Sequence, residues 1–207
     1  MKKANSLLIA GGLLITSANA MADAPSFTYI GAEYVPSGDI ELQDGGLSVS
    51  LDSSGYALHA SVELGIFFIQ ASRTELESNI EILGIRAEDT SSTLAAGMTF
   101  ELPQTQIYAL VRGRYDEFKL SGLRNDEDDG GIIGGEVGAR INVGKFLEIN
   151  ANVGKPSTDE GKSYGIGAHF FITDHFGITL DLRSIEAEQD DIEAKFDTTS
   201  VGLRYTF

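Results

Sequence analysis

Large apolar residues recur at every second position along most of this chain, and that period of two limits the fold more than any other feature. In residues 56–64 one face carries Tyr56, Leu58, Ala60, Val62 and Leu64, and the other carries Ala57, His59, Ser61 and Glu63. In residues 131–143, Ile133, Gly135, Val137, Ala139, Ile141 and Val143 stand against Gly134, Glu136, Gly138, Arg140 and Asn142. The same reading predicts strands over 27–35, 56–64, 66–76, 91–102, 105–117, 131–143, 146–154, 162–172, 176–186 and 196–207. Ten strands is the count; eight is the alternative if two segments pair outside the main sheet. The connections alternate in length. Short ones fall at Leu64-Gly65, Pro103-Gln104, Gly144-Lys145 and Thr173-His175, and long, polar, acidic ones at 36–55, 77–90, 118–130, 155–161 and 187–195.

A two-faced strand suits a soluble sandwich or a membrane barrel equally well, so the period alone does not choose between them. Other features do. Lys2 and Lys3, the apolar run Leu7–Ile15 and the small residues Ala18, Ala20 and Ala22 have the form of a secretory signal peptide. Cleavage after Ala20 or Ala22 is expected, giving a leader over 1–22 and a single barrel domain over 23–207. Strands of roughly 9–11 residues match a tilted bilayer crossing, and the short–long alternation matches turns on one side and loops on the other. The chain is therefore read as all-β: a closed, antiparallel, up-and-down transmembrane β-barrel. Lipid offers no hydrogen bonds, so the sheet must close on itself. An even strand number returns both termini to one side, expected to be periplasmic.

Charge and composition narrow the function. The chain has 15 Lys+Arg and 31 Asp+Glu, and without Lys2 and Lys3 the balance is 13 against 31, or −18. Nucleic acid is not an expected partner of so acidic a surface. Cysteine is absent, which removes disulfides, thiolate metal sites and a lipid-modified cysteine. No cofactor and no metal are expected.

The opening strand "FTYIGAEY", the series of two-faced strands and the closing "VGLRYTF" resemble the small outer-membrane β-barrel proteins of Gram-negative bacteria, the OmpA-like and OmpX-like porin-family group. The likeness extends over the chain after the leader. It implies that Val201, Leu203, Tyr205 and Phe207 are an assembly signal read by the barrel-assembly machinery. It also implies contact with periplasmic chaperones during biogenesis, with outer-membrane lipid and lipopolysaccharide afterwards, and a monomeric state. The peptidoglycan-binding domain of OmpA is not expected here. With no Trp, an interfacial girdle falls to Tyr34, Phe67, Phe100, Phe146, Phe170, Phe176, Tyr205 and Phe207.

The polar faces direct Glu33, Glu63, Glu101, Arg112, Arg114, Asp116, Glu136, Arg140, Glu148, Asp181, Arg183 and Arg204 inward. Charges in a narrow interior must pair, so an ion-pair network is expected. Glu33 is the candidate partner of Arg204, because the first and last strands close the barrel. His59, Ser61 and Glu63 form a Ser-His-acid set in name only, since neighbours at i and i+2 stand ~6.6–6.8 Å apart along a strand. Catalysis is not expected. Asn125, Glu127, Asp129, Gly130 and Glu136 fit an EF-hand spacing loosely, and a solvated acidic loop is the simpler reading. Arg73 and Glu75 fall on the lipid face, so the strand should leave hydrocarbon before Arg73, unless its register changes. The expected function is a structural or envelope role, or surface interaction, with at most a narrow polar lumen. The alternatives are a small-solute channel, and an adhesin or phage receptor working through acidic loops.

Overall fold

The computed structural model describes residues 25–44, 47–80, 85–121, 126–155, 161–189 and 192–207. The leader over 1–22 therefore lies outside the described residues. Ten strands follow in order: β1 (Tyr29–Asp44), β2 (Leu47–Leu64), β3 (Phe67–Ile80), β4 (Ile85–Leu102), β5 (Thr105–Ser121), β6 (Asp126–Val143), β7 (Leu147–Lys155), β8 (Lys162–Phe171), β9 (Phe176–Gln189) and β10 (Ile192–Thr206). Each pairs antiparallel with its neighbours in sequence, and β1 pairs with β10 to close the barrel. Ten strands settle the alternative of eight.

All four expected short connections are present at one rim, and their chemistry is local. Gly65 opens a two-residue turn at φ 68°, the conformation that glycine adopts without a Cβ clash. Pro103 precedes Gln104 at φ 64°, the order of a type II turn. Gly144 begins the third turn at φ 71°. Thr173 Oγ1 caps the fourth by accepting from the Phe176 N–H at 3.0 Å.

The far side differs from the expectation. The segments 36–55, 77–90, 118–130 and 187–195 are mostly strand rather than loop. β2, β4 and β6 each run 18 residues, about seven more than a tilted crossing requires. Pairing continues up to Asp44 against Leu47 and to Ile80 against Ile85. Polar alternation forms backbone ladders as readily as apolar alternation does, so hydropathy marks the end of the lipid-facing band and not the end of the strand.

That end is visible in the side chains. Tyr56, Leu58, Val62 and Leu64 are exposed on the outside of β2, and Asp52 and Ser54 follow outward beyond them. The stretch 56–64 spans about 27 Å along the strand, or about 20 Å along the axis at a ~40° tilt, close to the ~25 Å band of membrane barrels. On β3 the outward series is Phe67, Ile69, Ala71 and then Arg73 and Glu75, with no register shift against β2. Arg73 stands opposite Leu58 of β2 and Ser92 of β4, at the upper margin of the apolar band, and the alternative of a register change is excluded. It pairs with Glu75 at 2.9 Å, and Tyr56 Oη donates to the same carboxylate at 2.6 Å.

Among the described residues one irregularity occurs, in β1. Register shifts between Tyr34 and Ser37 against β10, and between Val35 and Gly38 against β2. Pro36 sits in this bulge, where a missing N–H is tolerated. The bulge lies just above Tyr34, where the strand leaves the apolar band.

Candidate functional site in the barrel interior

The interior is filled from the short-turn end upward by an aromatic floor. Phe27, two residues before β1, is 2% exposed and stacks on Phe68 with ring centroids 4.0 Å apart. Tyr108 meets Phe27 edge-on at 5.2 Å. Phe68 and Tyr108 point inward because they alternate with Phe67 and Ile107, which face out. Facing glycines make space for both rings. A Cβ at Gly138 would stand 2.5 Å from the Tyr108 ring, and one at Gly97 2.6 Å from Phe68 Cε1.

Above and beside this floor stands a group of buried charges. Arg140 of β6 and Arg204 of β10 both donate to Glu148 of β7, at 2.8–3.0 Å and 2.9 Å. All three side chains are 1–4% exposed. Two cations share one carboxylate, so positive charge is left over. Backbone and rings take it up. Ser26 C=O accepts from Arg140 Nη1 at 3.0 Å and from Arg204 Nη2 at 2.9 Å. The guanidinium carbons lie 4.4 Å from the Phe27 ring centre and 4.1 Å from that of Tyr29, within cation–π range. His169 completes the group. Its Nδ1 lies 2.6 Å from Arg204 Nη1 and 2.9 Å from Glu148 Oε1. A neutral Nδ1 can accept from the first or donate to the second, but not both.

Two further groups lie nearby. Glu136 of β6 accepts from Tyr108 Oη at 3.0 Å and pairs with Arg112, and Arg183 stands 3.5 Å away. Arg114 binds Asp116 at 2.6 Å and reaches Asp89 at 3.8 Å.

The family model of the outer membrane protein beta-barrel domain matches residues 7–207. The chain belongs to this family. No curated protein sequence matches it. Among solved structures, the translocator domain of autotransporter NalP from Neisseria meningitidis is similar, with 12% identity, 99% of this chain and 97% of that chain covered, and a TM-score of 0.50. Neisserial surface protein A gives 11% identity, 88% and 98% coverage and a TM-score of 0.46. Ail, the attachment invasion locus protein of Yersinia pestis, gives 13%, 87% and 100%, and 0.42. At these identities the likeness concerns the fold alone.

In this outer-membrane barrel the twelve charged residues expected inside do not make one network. Arg140, Glu148 and Arg204 meet; Arg112, Glu136 and Arg183 meet; Arg114 and Asp116 meet with Asp89. Asp181 stands 3.6 Å from His169 Nε2. Glu63 is held by neutral donors instead: the Phe27 N–H at 2.9 Å, Gln106 Nε2 at 3.1 Å and Thr99 Oγ1 at 3.2 Å. Glu101 is exposed beside the Pro103-Gln104 turn and joins no ion pair found among the described residues. The expected Glu33–Arg204 pair is absent. Glu33 lies opposite Gly202, its carboxylate accepts from Ser200 Oγ at 2.8 Å, and His59 Nδ1 is 3.5 Å away. Arg204 reaches across the lumen to β7 because its long side chain finds a buried carboxylate there.

The Ser-His-acid set does not assemble, since His59 faces Glu33, Glu63 is taken by Phe27, and Ser61 Oγ has no hydrogen-bond partner. Nor does the EF-hand spacing form a loop. Glu127, Asp129, Gly130 and Glu136 lie along β6, where residues 127–136 extend over about 30 Å. Asn125 lies outside the described residues. Of the girdle residues, Phe67, Phe100, Phe146, Phe170, Phe176, Tyr205 and Phe207 face outward near the short-turn rim. Tyr34 belongs to the other border, with Tyr56, Tyr115 and Tyr164. Those last three were legible in the alternation as the final outward aromatics before charge sets in. Phe27 shares the inward parity of Glu33 in the predicted strand 27–35, but its place against Phe68 and Arg140 was not legible, because those partners lie on other strands.

Proposed function

We propose that this protein is a non-enzymatic, monomeric structural barrel of the outer membrane, closed at the short-turn end by its own N-terminal segment. The arginine clamp on Ser26 C=O, with Phe27 stacked on Phe68, carries this reading. A ten-stranded barrel is only slightly wider than one whose side chains just fill it. A buried ring and two buried guanidiniums occupy that cross-section, which argues against a small-solute channel. Thr28 and Phe207 meet at the rim of short turns, taken here as periplasmic. Val201, Leu203, Tyr205 and Phe207 face outward along the seam and at that rim, in position for the assembly machinery to engage before the seam closes.

Planar-bilayer recording tests the closure. The unmodified protein should give at most small, brief steps, and Phe27→Ala should raise their frequency and size. Large, stable currents from the unmodified protein would overturn it. Orientation has a separate test, since the chain has no cysteine. On intact cells an impermeant maleimide should label Asp39→Cys and leave Lys145→Cys unlabelled; the reverse would invert the assignment.

A surface-interaction role is the second reading. The hairpins that rise beyond the apolar band favour it, because they present Asp52, Glu75, Glu77, Glu88 and Asp197 to water. Shortening the β1–β2 hairpin above Asp39 should preserve heat-modifiable gel mobility and abolish adhesion or phage adsorption. Unaltered adhesion and adsorption would count against it.

A further inference from the structure

On the outer wall, at the loop-side border of the apolar band, a groove of about 620 Å³ crosses β5 to β8. Its floor and walls follow one row of the sheet, Ala109, Val137, Val153 and Tyr164, with Gly135 one step above. Alanine and glycine leave the depression; valine and the tyrosine ring bound it. Lys155 and Lys162 stand at its upper edge. Gly154 pairs with Ser163, so the next step places Lys155 directly across from Lys162. Both lysines are exposed and point outward. Like charges directly opposite on one face are destabilising. Neither lysine makes an ion pair among the described residues, although Glu186 lies opposite Lys162. In contrast, Arg73, Arg86 and Lys195 each hold a carboxylate of this acidic chain. The one acid lining the groove, Glu136, turns its carboxylate inward to Arg112 and Tyr108.

We propose that this groove binds lipopolysaccharide, with one acyl chain along Ala109, Gly135 and Val137 and a lipid A phosphate between Lys155 and Lys162. Charge complementarity selects the occupant. A phosphate between the lysines removes their mutual repulsion, and an apolar channel runs from that point toward the membrane centre. The outer leaflet as the source rests on the orientation given above.

The test uses purified barrel in neutral detergent, with binding of bis-phosphorylated lipid A followed by native mass spectrometry. Dephosphorylated lipid A and phosphatidylglycerol are the comparison ligands. Lys155→Gln with Lys162→Gln should weaken lipid A binding about thirtyfold, the effect of two lysines at an anionic surface. Gly135→Leu should also weaken it while keeping both charges. A Cβ there meets only Leu110 C=O, at an ordinary 3.7 Å, so the barrel accommodates it. Unchanged affinity in the double variant, or equal binding of either comparison ligand, would overturn the site. Binding in detergent does not depend on orientation. Failed labelling of Asp39→Cys with intact lipid A binding would therefore sink the orientation alone, and the opposite pattern the site alone.

Discussion

Replacing Glu148 by glutamine should be among the most damaging single changes to this barrel. The carboxylate is 1% exposed, accepts three hydrogen bonds from Arg140 and one from Arg204, and has His169 Nδ1 at 2.9 Å. Glutamine keeps the shape and removes the charge, so two buried guanidiniums are left sharing Ser26 C=O and two aromatic faces. Breaking a buried pair in this way costs about 3–5 kcal/mol. Arg204→Met should behave differently. It leaves Glu148 with Arg140, a balanced pair, and puts an apolar chain against Tyr29, so a cost below about 1.5 kcal/mol is expected. The double variant Glu148→Gln/Arg204→Met should cost less than the two single changes added together, with a coupling of about 1–3 kcal/mol. The assay is reversible urea unfolding in phospholipid vesicles, with the folded fraction read from heat-modifiable gel mobility. If Glu148→Gln falls within about 1 kcal/mol of the unmodified protein, or if Arg204→Met is equally costly, the two-cation, one-anion account is wrong.

Three other outcomes follow from different parts of the molecule. Gly138→Val should push Tyr108 off Glu136 and destabilise by about 1–3 kcal/mol in the same titration, because its Cβ would lie 2.5 Å from the ring; a neutral effect would show that the floor repacks freely. Arg73→Ala should change stability by less than about 1 kcal/mol, since its pair with Glu75 is exposed at the upper margin of the apolar band; a larger loss would place Arg73 in a more enclosed setting. Phe207→Ala should lower the yield of barrel in the outer membrane without changing unfolding in vesicles, because Phe207 is 66% exposed and lies past the last strand; equal losses in both assays would make its role one of stability rather than assembly.

Short turns were legible because glycine and Pro-Gln announce their own φ values. The upper parts of the long strands were not legible, because polar alternation lacks the hydropathy contrast that marks a strand, although Asp39 to Asp44 continue the ladder on both sides. Inward charges were legible by parity, but their partners were not. Adjacent register suggested Glu33 for Arg204, and the structure supplies Glu148, three strands away around the wall through β9 and β8.

By itself the sequence determined which face of each strand is apolar and that the last strand must close on the first; it favoured ten strands and left eight open. These follow from a period of two and from the rule that no backbone group goes unpaired in hydrocarbon. Only the tertiary structure decided what fills the barrel. Side chains inside it meet across the lumen, between strands remote in sequence, at separations set by tilt and stagger rather than by spacing along the chain. Phe27 illustrates the difference: parity puts it on the inward face with Glu33, but only the structure shows it stacked on Phe68 under the Arg140 guanidinium, next to the Ser26 C=O that Arg140 and Arg204, 113 and 177 residues further on, share.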